Sequence, residues 1–409
     1  MAKDPKTGKE LPKGISWKAD KQTYMARFTH QGEQYCFYDK DLKVLKKTLA
    51  DKRYEVEHGL QGKADKITLN TWYKVWLDEY KIPILKESTV HVYKQTYKNY
   101  IEPALGNKLL SQLKPLHIQK TYNALSDRGL SAKTIANIQG MLYDILEIAC
   151  NNDLIIKNPC RSVTRPKLEK SDRRVLLLSE QYALQSYLKH DKWQAYEALI
   201  ITLLGTGMRI GEALGLTWND IDFEHNQVSV NKALVYVKDL ESGKYTFKNQ
   251  SPKTKDSIRT IPLLSDVSKA LKHHCTYQKR CRLYAGSDWK PLQGFENIVF
   301  TTSNGTPRQE SDIRKALNRI VAEINADEQE LALKEHRKPF IMEHVHPHAL
   351  RHTFATRCFE RGIPPKTVQG FLGHSTVQIS MDIYTHLTEQ TKQEDMQKLE
   401  GLLNVVNGE

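Results

Sequence analysis

The chain has 409 residues, 39% of them hydrophobic and 27% charged, with a mean hydropathy of −0.58 and a formal net charge of +13. That length suits two or three domains with sizeable cores, and the 61 Lys and Arg against 48 Asp and Glu point to a polyanionic partner, nucleic acid foremost, over a basic protein without one. No apolar run approaches the ~18 residues of a membrane span, the longest lying around Ala198–Leu204, and the opening Met-Ala-Lys-Asp-Pro-Lys has no apolar leader. Six cysteines (Cys36, Cys150, Cys160, Cys275, Cys281 and Cys358) lack Cys-x-x-Cys spacing, so reduced thiols in the cytoplasm are expected, neither a disulfide framework nor a zinc ribbon.

The first segment, 1–66, predicts three short strands over Ile15–Trp17, Tyr24–Thr29 and Gln34–Tyr38. Tyr24, Ala26 and Phe28 alternate with Met25, Arg27 and Thr29, the period of a half-buried strand, and His30–Glu33 suits a hairpin loop. A helix over Asp41–His58 carries Leu42, Leu45, Leu49 and Val56 on one face and stops at Gly59 and Gly62. With 15 Lys and Arg against 10 Asp and Glu, this is a small basic module. Its sheet has the size of an element that enters a DNA major groove; the other reading is a face that touches protein.

The second segment, 67–165, reads as all helical. Leu69, Trp72, Val75, Trp76 and Tyr80 recur at helical spacing, and both tryptophans suit a core better than a base-stacking platform. Ser88 is placed to cap a helix running to Tyr100, which Ile101-Glu102-Pro103 should break. Leu116–Ser126 and Ala132–Cys150 are two further amphipathic helices, the latter capped by Ser131. Lys94, Lys98, Lys133 and the Arg161–Lys170 stretch supply exposed positive charge for phosphates or for solvent. The linker Asn158–Arg174 holds Pro159 and Pro166 and no apolar period, which sets a boundary near 170.

The third segment, 171–409, opens with a helix capped by Ser179, followed by a long buried helix over Trp193–Thr206. Val228–Val230, Ala233–Val237, Tyr245–Phe247 and Ile258–Leu263 are strand-like, with a Lys-rich turn between the last two, so an α+β domain with one small sheet at its edge is expected. A last helix over Glu389–Val405 carries an apolar stripe of Met396, Leu399, Leu402 and Leu403.

Four stretches in this segment carry chemistry: Thr206-Gly207-Met208-Arg209-Ile210-Gly211-Glu212, His348-Ala349-Leu350-Arg351-His352, Leu372-Gly373-His374 and Ile383-Tyr384-Thr385-His386. Their order, with about 140 residues between the first two, resembles the signature of the tyrosine recombinases. The resemblance covers the whole third segment, and the first segment is similar to the arm-DNA-binding module of integrases, notably those of conjugative transposons of Gram-positive bacteria. It implies a multidomain, mainly α protein with small β elements: an arm-DNA-binding domain (1–66), a helical SAM-like core-DNA-binding domain (67–165) and an α+β catalytic domain (171–409).

Residue chemistry fits the same reaction. Cleaving a phosphodiester needs a nucleophile, charge neutralisation at the pentacoordinate phosphorus and a proton for the departing oxygen. Arg209 and Arg351 offer planar, permanently charged forks for two non-bridging oxygens. The Thr206-Gly207 step breaks a helix, so Arg209 should emerge at the start of the next one; the competing reading is a surface arginine paired with Glu212. Tyr384, ten residues after His374 and one of 19 tyrosines, is the nucleophile that the resemblance implies, giving a 3′-phosphotyrosyl link and a free 5′-hydroxyl. By the same analogy His348 is the base and His374 a donor to a non-bridging oxygen, with His352 and His386 in structural roles. The resemblance implies a lysine as the leaving-group acid in the turn before Arg259-Thr260-Ile261-Pro262-Leu263, where Lys253 is the better match and Lys255 the alternative.

A metal site is the rival for Glu343–His352, with histidines at 344, 346, 348 and 352, but His-Glu-x-x-His is absent and a metal leaves Arg351 unexplained. Gly205-Thr206-Gly207 lacks the spacing of a nucleotide-binding loop, so no cofactor is expected. The resemblance implies double-stranded DNA with core and arm sites as partner, a tetramer on DNA passing through a Holliday junction and the C-terminal helix docked on a neighbouring protomer rather than in cis, with an accessory factor of the excisionase type as a further candidate partner. A type IB topoisomerase-like enzyme and a DNA protein that binds without cutting are the alternatives.

Overall fold

The computed structural model describes residues 4–5, 7–8, 10–30, 33–57, 67–165, 167, 173–239, 242–251 and 257–373. Lys253, Lys255, His374, Tyr384 and the helix expected over 389–405 lie outside the described residues. The chain divides into two compact units, residues 1–170 and 171–409.

In the first unit, β1 (Ile15–Lys18), β2 (Thr23–His30) and β3 (Glu33–Asp39) form an antiparallel sheet in the order β1-β2-β3. The alternation along β2 is the expected one: Tyr24, Ala26 and Phe28 are buried, while Arg27 and Thr29 face out. Helix α1 (Leu42–Glu57) supplies Leu45 to the core of Leu11, Ile15, Tyr24 and Ala26. The Tyr24 hydroxyl donates to Asp4 at 2.8 Å. The sheet's other face carries Arg27 opposite Cys36 and Met25 opposite Tyr38.

The remainder of the unit is helical: α2 (Leu69–Val75), which runs on through a π-helical turn (Trp76–Lys81), α3 (Glu87–Thr96), α4 (Glu102–Leu105), α5 (Pro115–Asp127) and α6 (Ala132–Asn151). Trp72 and Trp76 lie in its core, and their indoles donate to the Ile145 carbonyl and the Asp144 carboxylate. Ser131 caps α6 by accepting from the Thr134 N–H. Two expectations fail here. Lys86, not Ser88, precedes α3, so the serine sits inside the first turn and caps nothing. Pro103 does not end the helix either: a π-helical turn over Tyr97–Ile101 widens the coil, and Pro103 falls in the first turn of α4, where its missing N–H needs no partner.

The second unit is built around α8 (Gln194–Thr206), preceded by α7 (Leu178–Tyr187) and followed by α9 (Ile210–Leu214). Ala198, Leu199, Ile200, Leu203 and Leu204 are buried on several sides of α8. Helix α7 is preceded by Leu177 rather than capped by Ser179; the Glu180 carboxylate takes the Leu177 N–H instead. The strands form two sheets, not one. β4 (Ile221–Asp222), β5 (Gln227–Val230) and β8 (Arg259–Pro262) make one in the order β4-β5-β8, and β6 (Ala233–Lys238) pairs with β7 (Tyr245–Gln250) in the other. The Lys-rich segment therefore links strands of different sheets rather than joining a hairpin. Helices α10 (Ser265–Ala285), α11 (Glu310–Lys334), α12 (Pro347–Glu360) and α13 (Pro365–Leu372) complete the described residues. No described helix is long and apolar enough to cross a membrane.

Candidate active site

The site starts where α8 ends. Gly207 adopts φ +64° and terminates α8, and a Cβ there would lie 2.4 Å from a Phe354 ring carbon and 2.7 Å from a Leu372 methyl. Only glycine meets both demands. The chain turns, and Arg209 becomes the residue that precedes α9, as the sequence predicts. Glu212, three residues on, accepts the Arg209 backbone N–H at 3.0 Å and its guanidinium at 2.8 Å. Its second partner is Arg259 at the start of β8, whose Nη2 donates at 2.8 Å. Burial opposes the Glu212 charge, but Arg259 and Arg209 outweigh it and hold the carboxyl below its usual range.

The C-terminus of α13 gathers the guanidiniums. Arg259 Nε donates to the Phe371 carbonyl at 2.6 Å, Arg351 Nη2 to Leu372 at 2.8 Å and Arg209 Nη2 to Gly373 at 3.3 Å. Carbonyls in the last turn of a helix have no partner within it, and they carry the negative end of the helix dipole. Three cations on three successive carbonyls therefore satisfy both. Arg351 also donates to the Gly207 carbonyl at 2.7 Å, tying α12 to the end of α8.

The two expected phosphate-binding arginines differ in access. The Arg209 side chain is 40% exposed, while Arg351 is 2% exposed. Burial, followed by the Arg209 charge, pulls the Arg351 pKa down, and Glu212 works against that fall. Guanidinium remains charged in proteins, so the meaning is electrostatic: the enclosed Arg351 charge lacks sufficient compensation.

His348 lies one helical turn before Arg351 on α12. Solvent reaches its ring, yet the protein around it removes part of its hydration. That loss, then Arg351, His346 and Arg209, lowers its pKa, so it is neutral at pH 7 and able to accept a proton. Its ring meets His352 edge-on at 5.1 Å, and burial pushes His352 down to about 4. His346 caps α12 by accepting the Ala349 N–H at 3.1 Å. The histidine run thus splits into a cap, a ring pair and the exposed His344. Among the described residues no group of three or more His, Cys, Asp or Glu is placed to hold a metal.

Arg209, His348 and Arg351 are thus brought into one electrostatic neighbourhood, and the two arginines reach the residues immediately ahead of His374. The sequence reading gave no role to Arg259 and treated Glu212 only as a surface partner. Both had a signal. Arg259 shares a strand face with the buried Ile261, an unusual place for a charge, and Glu212 stands at capping-box spacing from Arg209.

The model of the phage integrase family matches residues 175–391, and that of the phage integrase N-terminal SAM-like domain matches residues 68–126. The chain is 32% identical over 375 residues to a XerC-like tyrosine recombinase of Caldanaerobacter subterraneus subsp. tengcongensis, covering 90% of this chain and 91% of that protein. It is 26% identical to the transposase from transposon Tn916 of Enterococcus faecalis, covering 88% and 84%. Among solved structures, the Tn1549 transposon integrase in complex with transposon right end DNA superposes with a TM-score of 0.68 at 25% identity, covering 82% of this chain and 100% of that one. A family model spanning more than half of the chain, and a relative matched nearly end to end, place this protein in the phage integrase family: it is a tyrosine recombinase.

Proposed function

We propose that this recombinase cuts and rejoins DNA at the ends of a mobile element, for integration and excision, through a 3′-phosphotyrosyl intermediate and a Holliday junction. The observation that carries the reading is the cationic cluster at the end of α13, where Arg209 and Arg351 meet just before His374. Arg209, open to solvent, receives the non-bridging oxygens of the scissile phosphate, and Arg351 adds charge and its remaining donors from beneath. Tyr384 attacks phosphorus, its proton passes to the neutral His348, His374 donates to a non-bridging oxygen, and Lys253, with Lys255 as alternative, protonates the departing 5′-oxygen. The phosphotyrosyl bond keeps the energy of the broken linkage, so rejoining needs no nucleotide.

Double-stranded DNA is the partner. Residues 171–409 and 67–165 serve as catalytic and core-binding domains, and 1–66 as the arm-binding domain. The relatives named above support the choice of a transposon end as substrate. The working assembly is a tetramer on two duplexes, with the helix over 389–405 docked on a neighbouring protomer, in the cytoplasm, and an excisionase is a candidate further partner for excision. Phosphate contacts make binding salt-dependent. The test is cleavage of element-end DNA carrying a nicked suicide site: the native protein accumulates a covalent adduct, and Tyr384→Phe binds the same DNA and forms none. An undiminished adduct with Tyr384→Phe refutes the assignment.

A further inference from the structure

Arg259 is nearly enclosed, its side chain 7% exposed, and its guanidinium spends each nitrogen on a different segment. Nε donates to the Phe371 carbonyl at 2.6 Å, Nη1 to the Ser257 carbonyl at 3.0 Å and Nη2 to Glu212 at 2.8 Å. A Cβ on Gly373 would fall 2.9 Å from Nη1, so the main chain at the end of α13 closes directly over it. A group held in this way does not reach DNA. We propose that Arg259 is a positioning residue, whose charge balances Glu212 and thereby leaves the Arg209 guanidinium available to the scissile phosphate. The inference rests on the reading of Arg209 as the phosphate-binding guanidinium.

The argument is one of charge. Glu212 is buried, with a side chain 6% exposed, and one of its oxygens bonds the Arg209 guanidinium at 2.8 Å. With no other cation on it, this carboxylate would form a neutral pair with Arg209, and an incoming phosphate would compete with it. Arg259 occupies the other oxygen, which also accepts the Arg209 backbone N–H. Among the described residues, three guanidiniums against one carboxylate give two positive charges in excess; without Arg259 the excess is one. In the reaction the Tyr384 oxygen bonds phosphorus, its proton leaves to a base, the bond to the 5′-oxygen breaks and that oxygen takes a proton. At the pentacoordinate stage both non-bridging oxygens carry negative charge. A methylphosphonate linkage replaces one of them with a neutral methyl group and lowers the demand for positive charge.

The test uses the full chain on a nicked suicide substrate whose scissile linkage is either phosphodiester or methylphosphonate. Arg259→Met should cleave the phosphodiester about 100-fold more slowly, with DNA affinity held to within about threefold. On the methylphosphonate its deficit should shrink to under about tenfold. Arg259→Lys, which keeps the charge, should recover part of the phosphodiester rate. The double variant Arg259→Met with Glu212→Gln, which removes the unbalanced carboxylate as well, should cleave faster than Arg259→Met alone. Equal deficits on the two substrates, native rates for Arg259→Met, or a double variant no faster than the single one would each overturn the proposal. Should Arg259→Met melt below the assay temperature, Arg259→Gln, which removes the charge but keeps a hydrogen-bond donor for the Phe371 carbonyl, carries the same comparison. Arg209→Ala is the control: equal deficits there would refute the phosphate-binding role of Arg209 itself and take this inference with it.

Discussion

Substituting Gly207 with alanine tests the structural basis of the site most directly. Two costs follow from the geometry. At φ +64° an L-residue pays roughly 1–2 kcal/mol for the left-handed conformation. The new methyl would also sit 2.4 Å from a Phe354 ring carbon and 2.7 Å from a Leu372 methyl, and overpacking of that kind costs about 1–3 kcal/mol. Alanine returns ~0.4–1 kcal/mol by restricting the unfolded chain. The net loss is about 1–5 kcal/mol, which for a unit of this size lowers the melting temperature by on the order of 10 °C. Differential scanning calorimetry of the full chain reads the shift. Gly370→Ala is the control within the same unit: it lies inside α13 with ordinary helical geometry and open space at its Cβ, and should be neutral or slightly stabilising. Because the Gly207 carbonyl accepts from Arg351, the DNA adduct should also form more slowly well below the melting range. A Gly207→Ala protein that melts within about 1 °C of the native one would refute the packing and backbone argument together.

Two further predictions concern cores away from the site. Trp76→Phe, which empties part of a fully buried position and strips the Asp144 carboxylate of its indole donor, should cost about 1–3 kcal/mol in urea unfolding; an unchanged midpoint would count against it. His274 donates through Nε2 to the Val299 carbonyl, and burial, with Arg308 adding to the effect, pushes it down to about 4. Between pH 6.5 and 4 the unfolded chain therefore binds a proton that the native state refuses, so stability is lost as the pH is lowered through that range. His274→Gln should remove about 3 kcal/mol of that loss, and parallel stability–pH curves for the two proteins would contradict this.

The placement of Arg209 was legible in the sequence because it comes with a local pattern that survives out of context. Thr206-Gly207 breaks a helix and Arg209 starts the next, and both the break and the cap are local events. Strand β2 was readable from alternation and α6 from its apolar period and Ser131. The misplaced helix starts share one pattern. Ser88 and Ser179 are good caps by type, but α3 and α7 each begin one or two residues earlier, and Glu180 reaches back to the Leu177 N–H from inside α7. Pro103 misled because a π-helical turn shifted it from the interior of one helix to the first turn of another. The division into two sheets was illegible for a different reason: strand identity is local, but which strand pairs with which is not. β8 joins β5 across the interval that contains β6 and β7. The same holds for Arg259, whose partners lie 47 and 112 residues away.

On the proposed reading of Arg209 and Arg351 as phosphate-binding groups, those long-range contacts would let the cationic cluster favour a transition state over its substrate. Among the described residues, the three guanidiniums are met by carbonyls 207, 257 and 371 to 373 and by one carboxylate, which hold them in place without neutralising them. The lowered pKa of Arg351 is the trace of that imbalance, because its charge is disfavoured first by burial and then by Arg209. A DNA phosphate carries one negative charge and relieves part of it. A pentacoordinate phosphorus carries more charge on the same oxygens and relieves more. Since only interactions that strengthen on the way to the transition state accelerate a reaction, a cluster left positively charged in the free protein does more for cleavage than one already balanced. The carbonyl end of α13 supplies that arrangement from backbone alone: it holds the cations by dipoles, which fix position without cancelling a full unit of charge.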